Sequence, residues 1–125
     1  MCIRDRLGRI WGDEALVERG AGVLRLVAPA MERVPRHFAF ALCALDLYLA
    51  PPRELAIVGD PRSEVARAAL AGFDPRAVVA IGPSDEVPLL AGKGLVDGRP
   101  AVYVCERFAC RAPVTRPEDL STEAR

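Results

Sequence analysis

The chain has 125 residues, of which 51% are hydrophobic and 27% are charged, and its 17 basic side chains balance 17 acidic ones. This length suits one domain of ordinary size, and the composition is typical of a folded globular protein and not of a disordered segment. Because the chain lacks the basic surplus with which proteins neutralise phosphates, we expect no nucleic-acid partner.

The first six residues, "MCIRDR", show neither helical periodicity nor a turn signal before the more regular "LGRIWGDEALVERGAG". They resemble the translation of a transposon-end adapter used to prepare sequencing libraries. We therefore interpret residues 1–6 as an adapter translation, with the natural protein extending upstream of Leu7. Cys2 is then no candidate for a site. No signal-peptide apolar region is visible, so we expect a cytoplasmic location.

Two helices are predicted next. Between residues 13 and 34 the apolar residues recur every three or four positions, which predicts an amphipathic helix that Pro29 should kink or split. Residues 37–50 are apolar nearly all round and too long for a typical strand, which predicts a buried helix. Because both helices are so apolar, we expect them to pack against more helices than this chain contains. We therefore interpret the chain as a fragment that self-associates.

No membrane partner is expected from the same region. Its apolar run is interrupted by Asp46 and stopped by Pro51 and Pro52, so it falls short of the roughly 18 residues that cross a bilayer.

After Pro52 the pattern alternates between strand and helix. "ELAIVG" and "AVVAIG" are short apolar runs, and "RSEVARAALAGF" between them is helical with Ser63 as N-cap. These three segments predict a right-handed βαβ unit with parallel strands. "VDGRPAVYVC", with a turn at Asp97-Gly98, and "FACRAPV" predict two further strands, and a short helix should begin at Pro117. The predicted fold class is α/β: a helical hairpin followed by a small βαβ plus β-hairpin tail.

Cys105 and Cys110, five positions apart, are a candidate redox pair with three interpretations. A metal clip needs about four ligands, and the remaining pool of Cys43 and His37 makes a closed set hard to assemble, so we expect no metal. In a tight hairpin the two residues could face each other at a distance suiting a disulfide. Packed reduced thiols are favoured, since a cytosolic location keeps cysteines reduced.

Gly59 and Asp60 in "AIVGDP" are a candidate ligand-binding pair. They lie where a parallel strand should end, which is the edge at which open α/β sheets gather ligands such as nucleotides or phosphate. The stretch has one glycine where a dinucleotide motif needs three, and no Gly-Lys-Ser/Thr follows. We therefore favour a turn or cap role for Asp60, and expect no cofactor.

The stretches "ALDLYLAPPRELAIVGDP" and "LLAGKGLVDGRPAVYVCERFACRAPVTRPEDL" resemble the carboxyl end of thioredoxin-domain-containing proteins of the spermatogenesis-associated protein 20 type. The resemblance covers about residues 13–120, and its most specific pieces are residues 57–61 and 97–115. Such proteins carry an amino-terminal thioredoxin-like domain, an epimerase-like α/α-toroid and a small α/β tail.

The resemblance implies that residues 7–51 are the last helices of the toroid and that residues 52–125 are the tail. Its upstream domains would then be the partners of this segment. No Cys-x-x-Cys occurs in the chain, so no redox-motif residue can be carried over. We therefore expect a carboxyl-terminal fragment with a structural or interaction role and no complete active site, with a dithiol or metal module at Cys105/Cys110, or a weak nucleotide or phosphate binder at Gly59-Asp60, as alternatives.

Overall fold

A computed structural model of the chain describes residues 2–50, 53–72, 74–83 and 85–123. Within these ranges lie five α-helices, one short 3₁₀ helix and four strands. In chain order they are α1 (Cys2–Trp11), α2 (Glu14–Arg33), the 3₁₀ helix (Pro35–Phe38), α3 (Ala39–Leu49), β1 (Arg53–Val58), α4 (Glu64–Ala71), β2 (Ala77–Ile81), β3 (Ala101–Glu106), β4 (Ala109–Cys110) and α5 (Pro117–Glu123).

The four strands form one mixed sheet in the order β2-β1-β3-β4. β1 runs parallel to β2 and antiparallel to β3, and β3 runs antiparallel to β4. The predicted parallel pair connected through a helix is therefore confirmed. Ser63 caps α4 as predicted, because its side chain accepts a hydrogen bond from Ala66 N. The turn at Asp97-Gly98 is also confirmed, since both residues have positive φ and Val96 pairs with Arg99 around them.

The sheet is covered on both faces, which explains why its strands are apolar almost throughout. One face carries Leu55 and Ile57 of β1 and packs against α4 and α5. The other face carries Ala56, Val58 and Cys105 and packs against Ile10 of α1 and the loop that contains Leu89 and Leu90. The described helices α1, α2 and α3 pack against one another on this second side.

The amino-terminal segment differs from the sequence interpretation. Residues 2–11 form α1, although "MCIRDR" shows no helical periodicity. The residues that face inward include Asp5 and Gly8, which an apolar pattern cannot reveal. The interpretation of residues 1–6 as an adapter translation stays a prediction.

The two predicted helices after α1 are present with altered details. α2 runs unbroken through Pro29, so the expected split is wrong. α3 is not the buried helix that was predicted: Ala41, Ala44 and Leu47 are buried, but Phe40 is 89% exposed and Leu49 is 71% exposed. Within the described residues, no helix is both apolar enough and long enough to cross a membrane.

Side chains connect the helical layer to the sheet. Arg6 donates hydrogen bonds to the Ala77 and Pro75 carbonyls, and Arg76 binds the Asp46 carboxylate of α3. Contacts therefore cross the predicted boundary between residues 51 and 52. Pro51 and Pro52 themselves lie outside the described residues.

Candidate functional site

Cys105 and Cys110 form a disulfide at the end of the β3–β4 hairpin. The two residues lie directly opposite each other in the antiparallel register, with 3.9 Å between their Cα atoms and a bond of 2.07 Å between their sulfurs. Cys105 is buried at 3% exposure against the apolar side chains of the α1 face, whereas Cys110 is exposed. The disulfide therefore joins a buried residue of β3 to an exposed residue of β4.

The preference for packed reduced thiols at this pair is wrong. Its basis was the expected cytosolic compartment, but the hairpin places the two side chains as cross-strand partners, which brings the sulfurs within bonding distance. Cys43 is a free, exposed cysteine on α3.

Glu54 completes the row of side chains that contains the disulfide. It is the register partner of Cys105 on β1, so Glu54 and Cys105 lie on the same face of the sheet, with Cys110 beyond them. Glu54 is only 2% exposed. Its Oε2 accepts a hydrogen bond of 2.9 Å from the backbone N–H of Phe108. The Glu54 carboxylate thus anchors the hairpin turn to β1 through this hydrogen bond.

The turn itself consists of Arg107 and Phe108, which separate β3 from β4. Both residues have positive φ, 49° and 64°, a conformation that suits a two-residue hairpin turn but usually selects glycine or asparagine. The Phe108 ring lies against the corner between α1 and α2, because a Cβ placed at Gly12 would be 3.4 Å from Phe108 Cζ. Glu54, Gly12 and the disulfide therefore fix this turn together.

An open groove of about 640 Å³ lies between this turn and the helical layer. Glu54 and Phe108 line it on the hairpin side, and Tyr48 and Leu49 line it at the end of α3. The charged residues of its wall are Arg9, Glu14, Glu54, Glu106 and Arg107. A small molecule or side chain in the groove could therefore contact apolar, aromatic and charged residues at once.

The surroundings of the disulfide determine what it can do chemically. An external thiolate can reach Cys110, the exposed partner, and attack there would expel Cys105 as a thiolate. That thiolate would form in an apolar pocket at 3% exposure and beside the Glu54 carboxylate, an environment that disfavours a negative charge. We therefore expect slow reduction, which is more typical of a structural disulfide than of a catalytic one.

Gly59 and Asp60 lie at the carboxyl end of β1, as the sequence predicts. Gly59 has φ +105°, and a Cβ there would lie 3.0 Å from Pro100 Cα, so the backbone just before β3 passes close to this point. The Asp60 carboxylate accepts the N–H of Arg62 at 2.8 Å, which is the turn role that we favoured. The two residues are not brought together with the cysteine pair.

A shared metal ion requires several possible ligand side chains to be placed close together. Within the described part of the chain, no three His, Cys, Asp or Glu side chains are placed to share one ion. His37 is exposed in the 3₁₀ helix, and the two sulfurs of the disulfide carry no thiolate to donate.

Sequence reasoning missed Glu54 and Phe108. A glutamate near the start of an apolar strand looks like a solvated strand end, and its burial depends on a hairpin turn 54 positions away. One signal was present: β1 is apolar at four consecutive positions after Glu54, so both of its faces must be covered, and a charge within such a strand calls for a specific partner.

Comparison with known proteins gives one distant similarity. The chain is 25% identical over 126 residues to spermatogenesis-associated protein 20 of Rattus norvegicus, a match that covers 92% of this chain and 16% of that protein. The chain thus spans about a sixth of the length of the curated relative that it matches. No family model and no solved structure matches it. The resemblance to this family is therefore supported only at a distance.

Proposed function

We propose that the chain is an interaction module whose helical layer, α2 and α3, docks against preceding helices of a longer form of the same polypeptide. In this role the α/β sheet is the platform that holds the helices in place. The observation that carries the proposal is a second apolar face of α3 that is exposed in the described part of the chain.

α3 has two apolar faces with different surroundings. Ala41, Ala44 and Leu47 face the rest of the chain, whereas Leu42 and Leu49 share a separate stripe at a spacing of seven residues and are exposed. Phe40 is the most exposed large apolar side chain of the helix. A helix that is apolar all round is typical of one buried within a larger helical assembly.

α2 extends the exposed apolar surface. Val23 and Leu26 lie three positions apart on α2 and are exposed, Leu26 by 80%, and Val34 just after the helix is exposed as well. Large exposed apolar surfaces mark interaction sites. We assign the occupant to the same chain because the similar rat protein is about six times longer than the matched segment, so a partner within one polypeptide is available by length.

Sedimentation of the purified chain tests this proposal. Without its partner the wild type should self-associate with increasing concentration, and Leu49→Asp should shift it to monomer by placing a charge in the exposed stripe of α3. Leu70→Asp is the control, because Leu70 is 44% exposed on α4, across the sheet from the proposed face. A wild type that stays monomeric, or a control variant that dissociates equally, would overturn the proposal.

A second candidate function, dithiol exchange at Cys105 and Cys110, is favoured by the disulfide and by the exposure of Cys110. A thiolate of an external dithiol attacks Cys110 Sγ, the bond to Cys105 breaks, and Cys105 takes up a proton. The second thiol of the reductant then displaces Cys110, which also leaves as a thiol. Two electrons and two protons have passed to the protein, and the reductant has become a disulfide.

The rate of reduction by dithiothreitol tests the second candidate. If the pair serves exchange, the native chain should be reduced at a rate near that of an unhindered dipeptide disulfide. The buried leaving group instead predicts reduction that is slow until the chain unfolds in urea. Equal rates in the folded and unfolded chain would favour exchange over a structural role.

A further inference from the structure

We infer that the groove beneath the Arg107-Phe108 turn receives a guanidinium or ammonium group from a basic side chain of the docked partner, with Glu54 as its anion. This inference rests on the proposed function and specifies the chemistry of the partner at one point of the docking face.

Glu54 is a buried carboxylate that borders the groove. It is 2% exposed, and the contact that the structure gives it is the Phe108 N–H on Oε2. The ion pairs Asp5–Arg9, Glu18–Arg25, Asp74–Arg53 and Asp46–Arg76 do not include Glu54. A carboxylate removed from water and held by one neutral N–H is costly, whereas a cation at hydrogen-bond distance would offset most of that cost. The Glu54 carboxylate therefore favours a positively charged group on its groove side.

The groove leads to this carboxylate. Glu54 is one of its lining residues, so the exposure that the side chain retains opens onto the groove. Tyr48 and Phe108 form aromatic walls beside it, and each is 37% exposed. Aromatic faces attract cations, and an apolar wall suits the methylene stem of arginine or lysine.

The cations already in the groove wall do not fill this role. Arg9 binds Asp5 and the Leu47 carbonyl, and both contacts turn its guanidinium towards the helical layer. Arg107 belongs to the turn whose other residue, Phe108, donates its N–H to Glu54, but it forms no ion pair with that carboxylate in the structure.

Leu49 connects the groove with the exposed stripe of α3 on which the partner is proposed to dock. It lines the groove and also belongs to the exposed stripe of α3, at 71% exposure. A helix that lies along this stripe therefore passes the mouth of the groove. A basic side chain on that helix would extend its stem past Leu49 and Tyr48 before it reaches Glu54.

Titration of the ¹⁵N-labelled chain with propylguanidinium tests the inference, with propylurea as the neutral control of similar shape. The Phe108 amide, which is hydrogen-bonded to Glu54, should shift saturably with propylguanidinium, and propylurea should bind at least about tenfold more weakly. Glu54→Gln, which keeps an oxygen acceptor for Phe108, should lose the preference for the cation. Glu106→Gln removes an exposed carboxylate from the same groove and should keep it.

Three results would overturn the inference: no saturable shift, equal binding of the two probes to the wild type, or an unchanged preference in folded Glu54→Gln. If Glu54→Gln does not fold, the comparison of charged and neutral probes on the wild type decides alone. Because the probes are small molecules, this experiment can fail while self-association of the chain is observed, and the reverse also holds.

Discussion

Asp5 and Arg9 form a buried ion pair on α1 that is only partly satisfied. Their side chains are 8% and 10% exposed, Asp5 Oδ2 accepts from Arg9 Nε at 3.0 Å, and Arg9 also donates to the Leu47 carbonyl. Asp5 Oδ1 is buried and has no partner. Buried pairs of this kind contribute little net stability but are damaging when one member is removed.

We therefore expect Asp5→Ala to lower the free energy of unfolding by about 3 kcal/mol, because Arg9 would remain buried without its counter-charge. The double variant Asp5→Leu with Arg9→Met should lie within about 1 kcal/mol of the wild type or be more stable. Urea denaturation followed by circular dichroism measures both. A double variant as unstable as Asp5→Ala would contradict this view of the pair.

Gly59 tests the packing at the end of β1. Gly59→Ala should lower the free energy of unfolding by about 2 kcal/mol or more, because it combines a positive φ with clashes against Pro100 and Leu95. Gly82→Ala is the matched control: its φ is +136°, but a Cβ there meets nothing within 4 Å. Equal losses in the two variants, measured by thermal denaturation, would show that the close approach is unimportant.

Residues with local roles were predictable, and residues with tertiary roles were not. The cap at Ser63 and the turn at Asp60 depend on neighbours two or three positions away, so short sequence patterns contain them. Glu54 and Asp5 are buried by elements far along the chain, and a charged residue in isolation indicates solvent exposure.

The β3–β4 hairpin depends on its disulfide because β4 is only two residues long. Closing a loop of this size should contribute about 2 kcal/mol in the chain-entropy view, so reduction should lower the free energy of unfolding by about that amount. Urea denaturation with and without dithiothreitol measures the difference. The reductant should have no effect on a Cys105→Ala/Cys110→Ala variant. An equal effect on that variant would show that the reductant does not act through this disulfide.

The contact between α3 and the start of β2 should depend on pH. The Arg76 guanidinium, which donates hydrogen bonds to Asp46 at 2.9 and 2.7 Å, holds the pKa of Asp46 below its ordinary value of 3.8. Because the folded pKa is depressed, the contribution to stability is fully present above pH 3.8 and is lost as the pH falls through the folded pKa.

Carbon-detected NMR titration of the Asp46 carboxyl measures this shift. In Arg76→Gln the pKa should return towards 3.8, and the acid limb of the stability curve should move with it. Arg53→Gln, which removes the ion pair with Asp74, is the control and should leave Asp46 unchanged. An Asp46 pKa that is the same in the wild type and in Arg76→Gln would refute the pairing.

Among the elements, β1, β2, β3 and α4 followed from the sequence because apolar runs between turn residues define them locally, whereas the strand predicted over residues 108–114 is reduced to Ala109–Cys110. α1 was missed because Asp5 and Gly8 occupy its inner side. For α3 the helix was predicted correctly and its burial was not, since an apolar sequence specifies a preference for burial but does not supply the neighbour that satisfies it.

The whole molecule is a sheet covered on both faces, with a helical layer whose outer side is apolar. The sheet has its own cores on the α4–α5 side and on the α1 side. The exposed apolar side chains of α2 and α3 belong to neither of these two cores. Within the account proposed here, that surface belongs to an interface with further helices, and Glu54 marks where a basic side chain enters.

Cys43 offers the most direct measurement of this interface, because it is a free, exposed thiol on α3. Cys2→Ser would leave it as the single thiol outside the disulfide among the four cysteines of the chain. Isotope-coded alkylation, read by mass spectrometry of the Cys43 peptide, should label it rapidly in the monomeric chain. In the proposed longer chain with preceding helices, labelling should slow at least about tenfold, whereas equal labelling in the two chains would contradict docking of the helical layer.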